Sequence, residues 1–179
     1  MSNQLANRLS VLRLEKIIPD TIEMVYLGGA VDNRPGKDNY REYATEVLNS
    51  AGVSTFNPPN AFGYTAGVGN EQVIQINEAA LIVSDIALFE MDIECQHNGT
   101  AIELYRTATD VSRISVVWSS KPGIYVQRYA DFIVPTLDEA IAMVLEIKAC
   151  IEGHEATSIQ KIVRDLYGSI FDSIHEIKR

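Results

Sequence analysis

The segment Gly99-Thr100-Ala101-Ile102-Glu103 places a carboxylate about one turn into a helix. Helical side chains lean toward the N-terminus, so Glu103 leans back toward the loop that precedes it. The N–H groups of the first turn favour its anion. An ionised carboxylate beside a cleft is a nucleophile suited to C1 of a sugar. The same residues carry a second reading. Thr100-x-x-Glu103 has the spacing of a capping box, in which the glutamate only secures the helix end. Spacing leaves both open.

Two further groups bear on such chemistry. Tyr26-Leu27-Gly28-Gly29-Ala30-Val31-Asp32 sets two glycines directly after an apolar run, where a ligand can approach the backbone closely or the chain can simply turn. The third glycine of a dinucleotide fingerprint is missing. Asp85 stands directly before another apolar run, with Asp92 and Glu94 after it; a second carboxyl group near Glu103 would be needed for acid/base work on a leaving group. Asp92 and Glu94 read as solvated, and Trp118 as a core residue at a strand end. His97, His154 and His175 show no metal-ligand spacing, and no metal site is expected. No G-x-S-x-G motif and no phosphate loop is present.

The elements that must position these groups alternate. Strands are expected at Ile22 to Leu27, Val53 to Phe56, Ile86 to Met91, Ile114 to Trp118 and Phe132 to Val134. Between them run helical patterns. The first begins near an Asp38 cap, turns Tyr40, Tyr43, Ala44, Val47, Leu48 and Ala51 inward, and stops at Gly52. The second spans Glu71 to Ala80 with Val73, Ile76 and Ala80 inward, and the third Gly99 to Asp110. The last is capped by Thr136 and Glu139 and reaches about Ile151. Strand-helix-strand order predicts a parallel α/β sheet, whose ligands bind beyond the carboxyl ends of the strands. Residues 1–20 read as a helical extension, 21–151 as the domain, and 152–179 as an amphipathic tail helix that packs on its own domain or on a second subunit.

Composition narrows the partners. The chain has 179 residues, 46% hydrophobic and 22% charged, enough for one domain with its own core. A formal net charge of −9 argues against DNA or RNA, which are held by clustered Lys and Arg. The first eighteen residues are interrupted by Arg8, Arg13, Glu15 and Lys16, unlike a secretory signal, and no apolar run spans a bilayer. A cytoplasmic protein is expected, with Cys95 and Cys150 reduced.

In order and separation, three of these segments resemble signatures of the nucleoside 2-deoxyribosyltransferase family. Tyr26 to Asp32 is similar to its opening Y-L-A-G-x-x-D. Ser84-Asp85-Ile86-Ala87-Leu88 looks like its aspartate-led third strand. Asn98-Gly99-Thr100-Ala101-Ile102-Glu103-Leu104 resembles its G-T-x-x-E helix start. Asp131-Phe132-Ile133-Val134 followed by Leu137-Asp138-Glu139-Ala140 fits its closing pattern. The likeness covers roughly Ile22 to Leu145.

The resemblance implies a flavodoxin-like or Rossmann-like sheet of about five strands with helices on both faces. It implies transfer of 2-deoxyribose between nucleobases through a covalent glycosyl-glutamate, without a cofactor. Glu103 would attack C1, Asp85 would contact or protonate the base, and Tyr26 would orient the nucleophile. Gly28, Gly29, Ala30 and Asp32 would line the nucleoside pocket with His97, Asn98, Gly99 and Thr100. His97 stands where many members have an aspartate, six residues before the glutamate, so base recognition differs there. Relatives that hydrolyse nucleoside 5′-monophosphates carry serine and arginine in the first loop; here Asp32 opposes a phosphate while Arg34 and Lys37 attract one. An N-glycosidase with the same nucleophile and a non-catalytic nucleotide-binding module are the alternatives. The expected partners are a nucleoside or nucleotide, a free nucleobase and, in a homo-oligomer, a second copy of the chain.

Overall fold

A computed structural model describes residues 19–29, 40–58, 69–91, 98–110 and 112–152. Residues 1–18 of the expected helical extension, residues 153–179 of the expected tail helix, the Asp38 cap and Cys95 lie outside the described residues. Five strands form one parallel sheet: β1 (Met24–Gly28), β2 (Ser54–Phe56), β3 (Ile86–Glu90), β4 (Ile114–Trp118) and β5 (Phe132–Val134). Their order across the sheet is β2-β1-β3-β4-β5, the flavodoxin-like arrangement. The helices among the described residues are α1 (Tyr40–Ser50), α2 (Asn70–Val83), α3 (Asn98–Thr109), α4 (Ile124–Tyr129) and α5 (Leu137–Glu152). Among the described residues, no helix is long and apolar enough to cross a membrane.

Helices cover both faces of the sheet, so its central strands are apolar at nearly every position. On one face Val25, Leu27, Ile86, Leu88, Ile114 and Val116 pack against Ala44 and Leu48 of α1 and Ala140, Val144 and Ile147 of α5. On the other, Tyr26, Ala87, Phe89 and Val117 pack against Ala80 and Leu81 of α2, Leu104 of α3 and Val126 of α4. The ends follow local chemistry. Gly52 takes φ +75° two residues after α1, a conformation that costs glycine little. Thr136 and Glu139 exchange the two hydrogen bonds of a capping box at the start of α5, at 3.2 and 3.3 Å.

Three local expectations need correction. Tyr43 is 48% exposed, and its neighbour Arg41 is buried instead, because α1 turns its Tyr40/Arg41/Ala44/Leu48 stripe toward the sheet; Ala51, just past the helix end, is exposed as well. Ile76 is 43% exposed, and α2 presents Asn77, Ala80 and Leu81 inward. The six-residue helix α4 lies between β4 and β5 where no element was expected; it buries only Val126, too short a stripe to show as a period.

Candidate active site

In the order β2-β1-β3-β4-β5, the chain winds away from β1 in opposite directions, and the carboxyl ends of β1 and β3 flank the switch point. Tyr26 is the third residue of β1, and Glu103 lies in the second turn of α3, the helix that follows β3. The Tyr26 hydroxyl donates a 2.7 Å hydrogen bond to Oε1 of Glu103. The tyrosine ring is fixed by stacking on Phe56 of β2 at 5.8 Å and by a tilted contact with Phe89 of β3 at 6.4 Å. β1 thus supplies a rigid donor and α3 the acid it orients.

This geometry does not match a capping box at Thr100 and Glu103. The helix begins at Asn98, so Thr100 is inside its first turn, buried, and not at a cap position. The Glu103 carboxylate is turned to Tyr26 across the cleft. Burial raises its pKa above the ordinary glutamate value, while the Tyr26 hydroxyl, the Arg41 guanidinium and Arg106 pull it back down. Burial and the neighbouring carboxylate raise the Tyr26 pKa far above the usual phenol range, which keeps its proton on the donor side.

The two glycines are required by what surrounds them. A Cβ at Gly28 would lie 2.5 Å from Cε1 of Phe89 and 3.2 Å from Oε2 of Glu103. The Phe89 ring fills the space that a methyl group at this position would take. Gly29 has φ +155°, and a Cβ there would lie 2.9 Å from Cβ of Glu90 and 3.0 Å from the Tyr40 hydroxyl. That hydroxyl donates a hydrogen bond to the Gly28 carbonyl.

Asp85 is not brought to this site. The residue before a parallel strand lies at its amino end, and the site lies at the carboxyl end. Oδ2 of Asp85 accepts the backbone N–H groups of Glu23 at 2.8 Å and Met24 at 3.0 Å. The length of β1 separates Met24 from Gly28, about 13 Å of extended chain. The expectation that Asp85 contacts or protonates the base is therefore corrected: its carboxylate joins β3 to the start of β1. Of the other expected pocket residues, Gly99 is exposed in the first turn of α3, Thr100 is buried there and Asn98 opens the helix. Ala30, Asp32 and His97 lie outside the described residues.

Sequence reasoning missed several polar groups. Arg41 is 4% exposed, with Nε donating to the Leu27 carbonyl at 3.2 Å and Nη2 to the Gly29 carbonyl at 2.8 Å. Asn57, directly after β2, is 7% exposed, and neither of its amide atoms has a partner among the described residues. The same holds for the buried Oδ1 of Asn77 on α2 and the Trp118 indole N–H at the carboxyl end of β4. The signal for Arg41 was its place on the α1 stripe, one turn before Ala44 and two turns before Leu48. A charged residue on an apolar stripe marks a buried charge.

No family model and no curated protein matches this chain. Solved structures do. A 2-deoxyribosyltransferase from Bacillus psychrosaccharolyticus is 15% identical and superposes with a TM-score of 0.54 over 76% of this chain and 95% of that one. A 2-desoxiribosyltransferase from Leishmania mexicana is 14% identical, with a TM-score of 0.54 over 69% of this chain and 97% of that one. A conserved protein from Enterococcus faecalis V583 is 11% identical, with a TM-score of 0.55 over 71% and 99%. These likenesses establish a shared α/β fold.

Proposed function

We propose that this chain is a nucleoside 2-deoxyribosyltransferase with Glu103 as its nucleophile. The observation that carries the proposal is the Tyr26–Glu103 pair, 2.7 Å apart at the switch point of a fold shared with two such enzymes. Tyr26 holds Oε1 and so orients the carboxylate. A carboxylate oxygen forms a bond to C1 of the sugar as the C1–N bond to the base breaks. A nitrogen of a second base then attacks C1 and releases Glu103. Two displacements retain configuration, and each is easier than one direct exchange. Gly28 leaves room beside Oε2, where any side chain would crowd the reacting atom. Ala30, Asp32, His97, Asn98, Gly99 and Thr100 remain the proposed nucleoside contacts, with no cofactor and a homo-oligomer as the working assembly. The leaving base takes up a proton from solvent, and the incoming base returns one to solvent as its nitrogen bonds C1; Asp85 is not the donor, because it lies at the other end of β1.

Chromatography of 2′-deoxynucleosides incubated with the protein, with and without a free second base, tests this reading. A new nucleoside that forms only with the acceptor base is expected. Free base released equally without acceptor would make the enzyme an N-glycosidase. No turnover of any deoxynucleoside or its 5′-monophosphate would leave a binding module.

Replacing Tyr26 by phenylalanine keeps the ring contacts and removes only the donor. The ionised form of Glu103 then loses a hydrogen bond, so its pKa rises further. A nucleophile must be ionised, so the acid limb of the kcat/KM profile is expected to move to higher pH, with activity near neutrality lower by about tenfold. An acid limb that stays in place would show that Tyr26 does not control Glu103.

A further inference from the structure

The Gly28-Gly29 turn has a different charged group on each side. Toward α3, the Cβ position of Gly28 is 3.2 Å from Oε2 of Glu103. Toward α1, the Cβ position of Gly29 is 3.3 Å from Nη2 of Arg41, which bonds the Gly29 carbonyl at 2.8 Å. Nε of the same guanidinium bonds the Leu27 carbonyl at 3.2 Å. One planar fork therefore bridges the two carbonyls that bracket Gly28. Its Cζ sits 4.7 Å from the centroid of the Tyr40 ring, and the Tyr40 hydroxyl donates to the Gly28 carbonyl between them. All three carbonyls at the end of β1 are thus gripped by two adjacent residues of α1.

An arginine only 4% exposed is expensive to bury, and a helix stripe needs only an apolar residue at that place. Carbonyl hydrogen bonds at the end of a strand are ordinarily made by water or by a loop backbone. The fork does more than satisfy them. It fixes the turn against which the Glu103 carboxylate rests and sets a positive charge across a two-residue partition from that carboxylate.

We propose that Arg41 is a positioning residue for Glu103, holding the Leu27–Gly29 turn in place and sustaining the glutamate's anion through the turn. The proposal rests on Glu103 being the working carboxylate of the site. With Nε and Nη2 held by the carbonyls of the turn, Arg41 acts on the reaction through the turn and through charge. Among the described residues, the groups facing Glu103 are Tyr26 from β1, Arg41 from α1 and Arg106 from its own helix, while Glu90 of β3 and Glu103 both face Tyr40. Of these, Arg106 is half exposed and already paired with Glu78 of α2 at 2.6 Å. Arg41 is the buried cation of the set.

The test follows the Glu103 carboxyl carbon by 13C NMR through a pH titration, with the resonance assigned by its loss in Glu103→Gln. Wild type, Arg41→Lys and Arg41→Met are compared, each checked for folding by thermal melt. In Arg41→Met the midpoint is expected to move up by about one pH unit, the lower end of the effect of a nearby opposite charge. Arg41→Lys keeps the charge but cannot bridge two carbonyls with a planar fork. It is expected to hold most of the midpoint while lowering kcat by about tenfold with KM little changed, since the loss falls on the aligned transition state. A midpoint unchanged in folded Arg41→Met, or a kcat unchanged in Arg41→Lys, overturns the proposal. Should Arg41→Met fail to fold, the kcat and KM of Arg41→Lys decide it. The titration needs no substrate, so it stands even where the transferase assay shows no turnover, and the two failures are read separately.

Discussion

Glu103→Gln is expected to lower 2-deoxyribosyl transfer by on the order of 10³-fold or more, because an amide oxygen cannot form and release the glycosyl bond. The same substitution is expected to make the protein more stable near neutral pH. Burial raises the folded-state pKa of Glu103, so the folded protein holds this proton more tightly than the unfolded chain. For a group shifted upward, the linked stability is full below the unfolded pKa, close to 4.5, and is lost as pH rises through the folded value. Above that window the wild type carries the cost of a buried anion and the neutral glutamine does not. Glutamine also keeps an oxygen for the Tyr26 hydroxyl. Melting curves should therefore show Glu103→Gln above wild type at about pH 8, with the gap closing as pH falls toward about 4. A carboxylate that merely capped α3 would behave oppositely: its removal would cost about 0.5–2 kcal/mol and leave turnover intact. Loss of turnover together with a gain in melting temperature separates the two on one protein. A substitution that leaves turnover unchanged would remove Glu103 from the mechanism.

The strands were legible in sequence because a parallel sheet covered on both faces must be apolar at nearly every position. Ile114 to Trp118 and Phe132 to Val134 have the bounds that periodicity and turn residues predicted. The pairing of Tyr26 with Glu103 was not legible from spacing alone. The two residues are 77 positions apart, and only the parallel register of β1 with β3, followed by α3, brings them together. There the family resemblance supplied what the pattern lacked. Arg41 was hidden for a different reason. A helical stripe is read from its apolar members, so a buried guanidinium among Tyr40, Ala44 and Leu48 was passed over in favour of Tyr43. Asn77 was hidden in the same way behind Ile76. A polar group on a buried helical stripe breaks the amphipathic pattern that would locate it.

Asp85 illustrates the converse, a residue whose type promised chemistry and whose place assigns it to the fold. The signature that leads β3 with an aspartate has a twin in this chain. Asp131 leads β5, and its Oδ2 accepts the N–H of Ser115 at 2.8 Å and the Ser115 hydroxyl at 2.9 Å, while that hydroxyl accepts the Asp131 N–H at 2.8 Å. Asp85 does the same between β3 and β1, where Glu23 and Met24 donate to it. In each case a carboxylate before one parallel strand captures N–H groups at the start of its neighbour, where the ladder has not yet begun. Asp85→Ala leaves two donors without their acceptor. It is expected to cost about 1–3 kcal/mol in stability, with water recovering part of the loss at this half-exposed edge. Asp85→Asn keeps an oxygen on which both N–H groups can converge, and its cost should be smaller. Neither should change kcat/KM of the folded enzyme by more than about twofold, since the carboxylate lies about 13 Å along β1 from Gly28. A residue that protonated the leaving base would give the reverse pattern, with Asp85→Asn well folded and slower by about 10²–10⁴-fold. Urea denaturation and initial rates on the two variants decide the matter, and a slow, fully stable Asp85→Asn would return this aspartate to the active site.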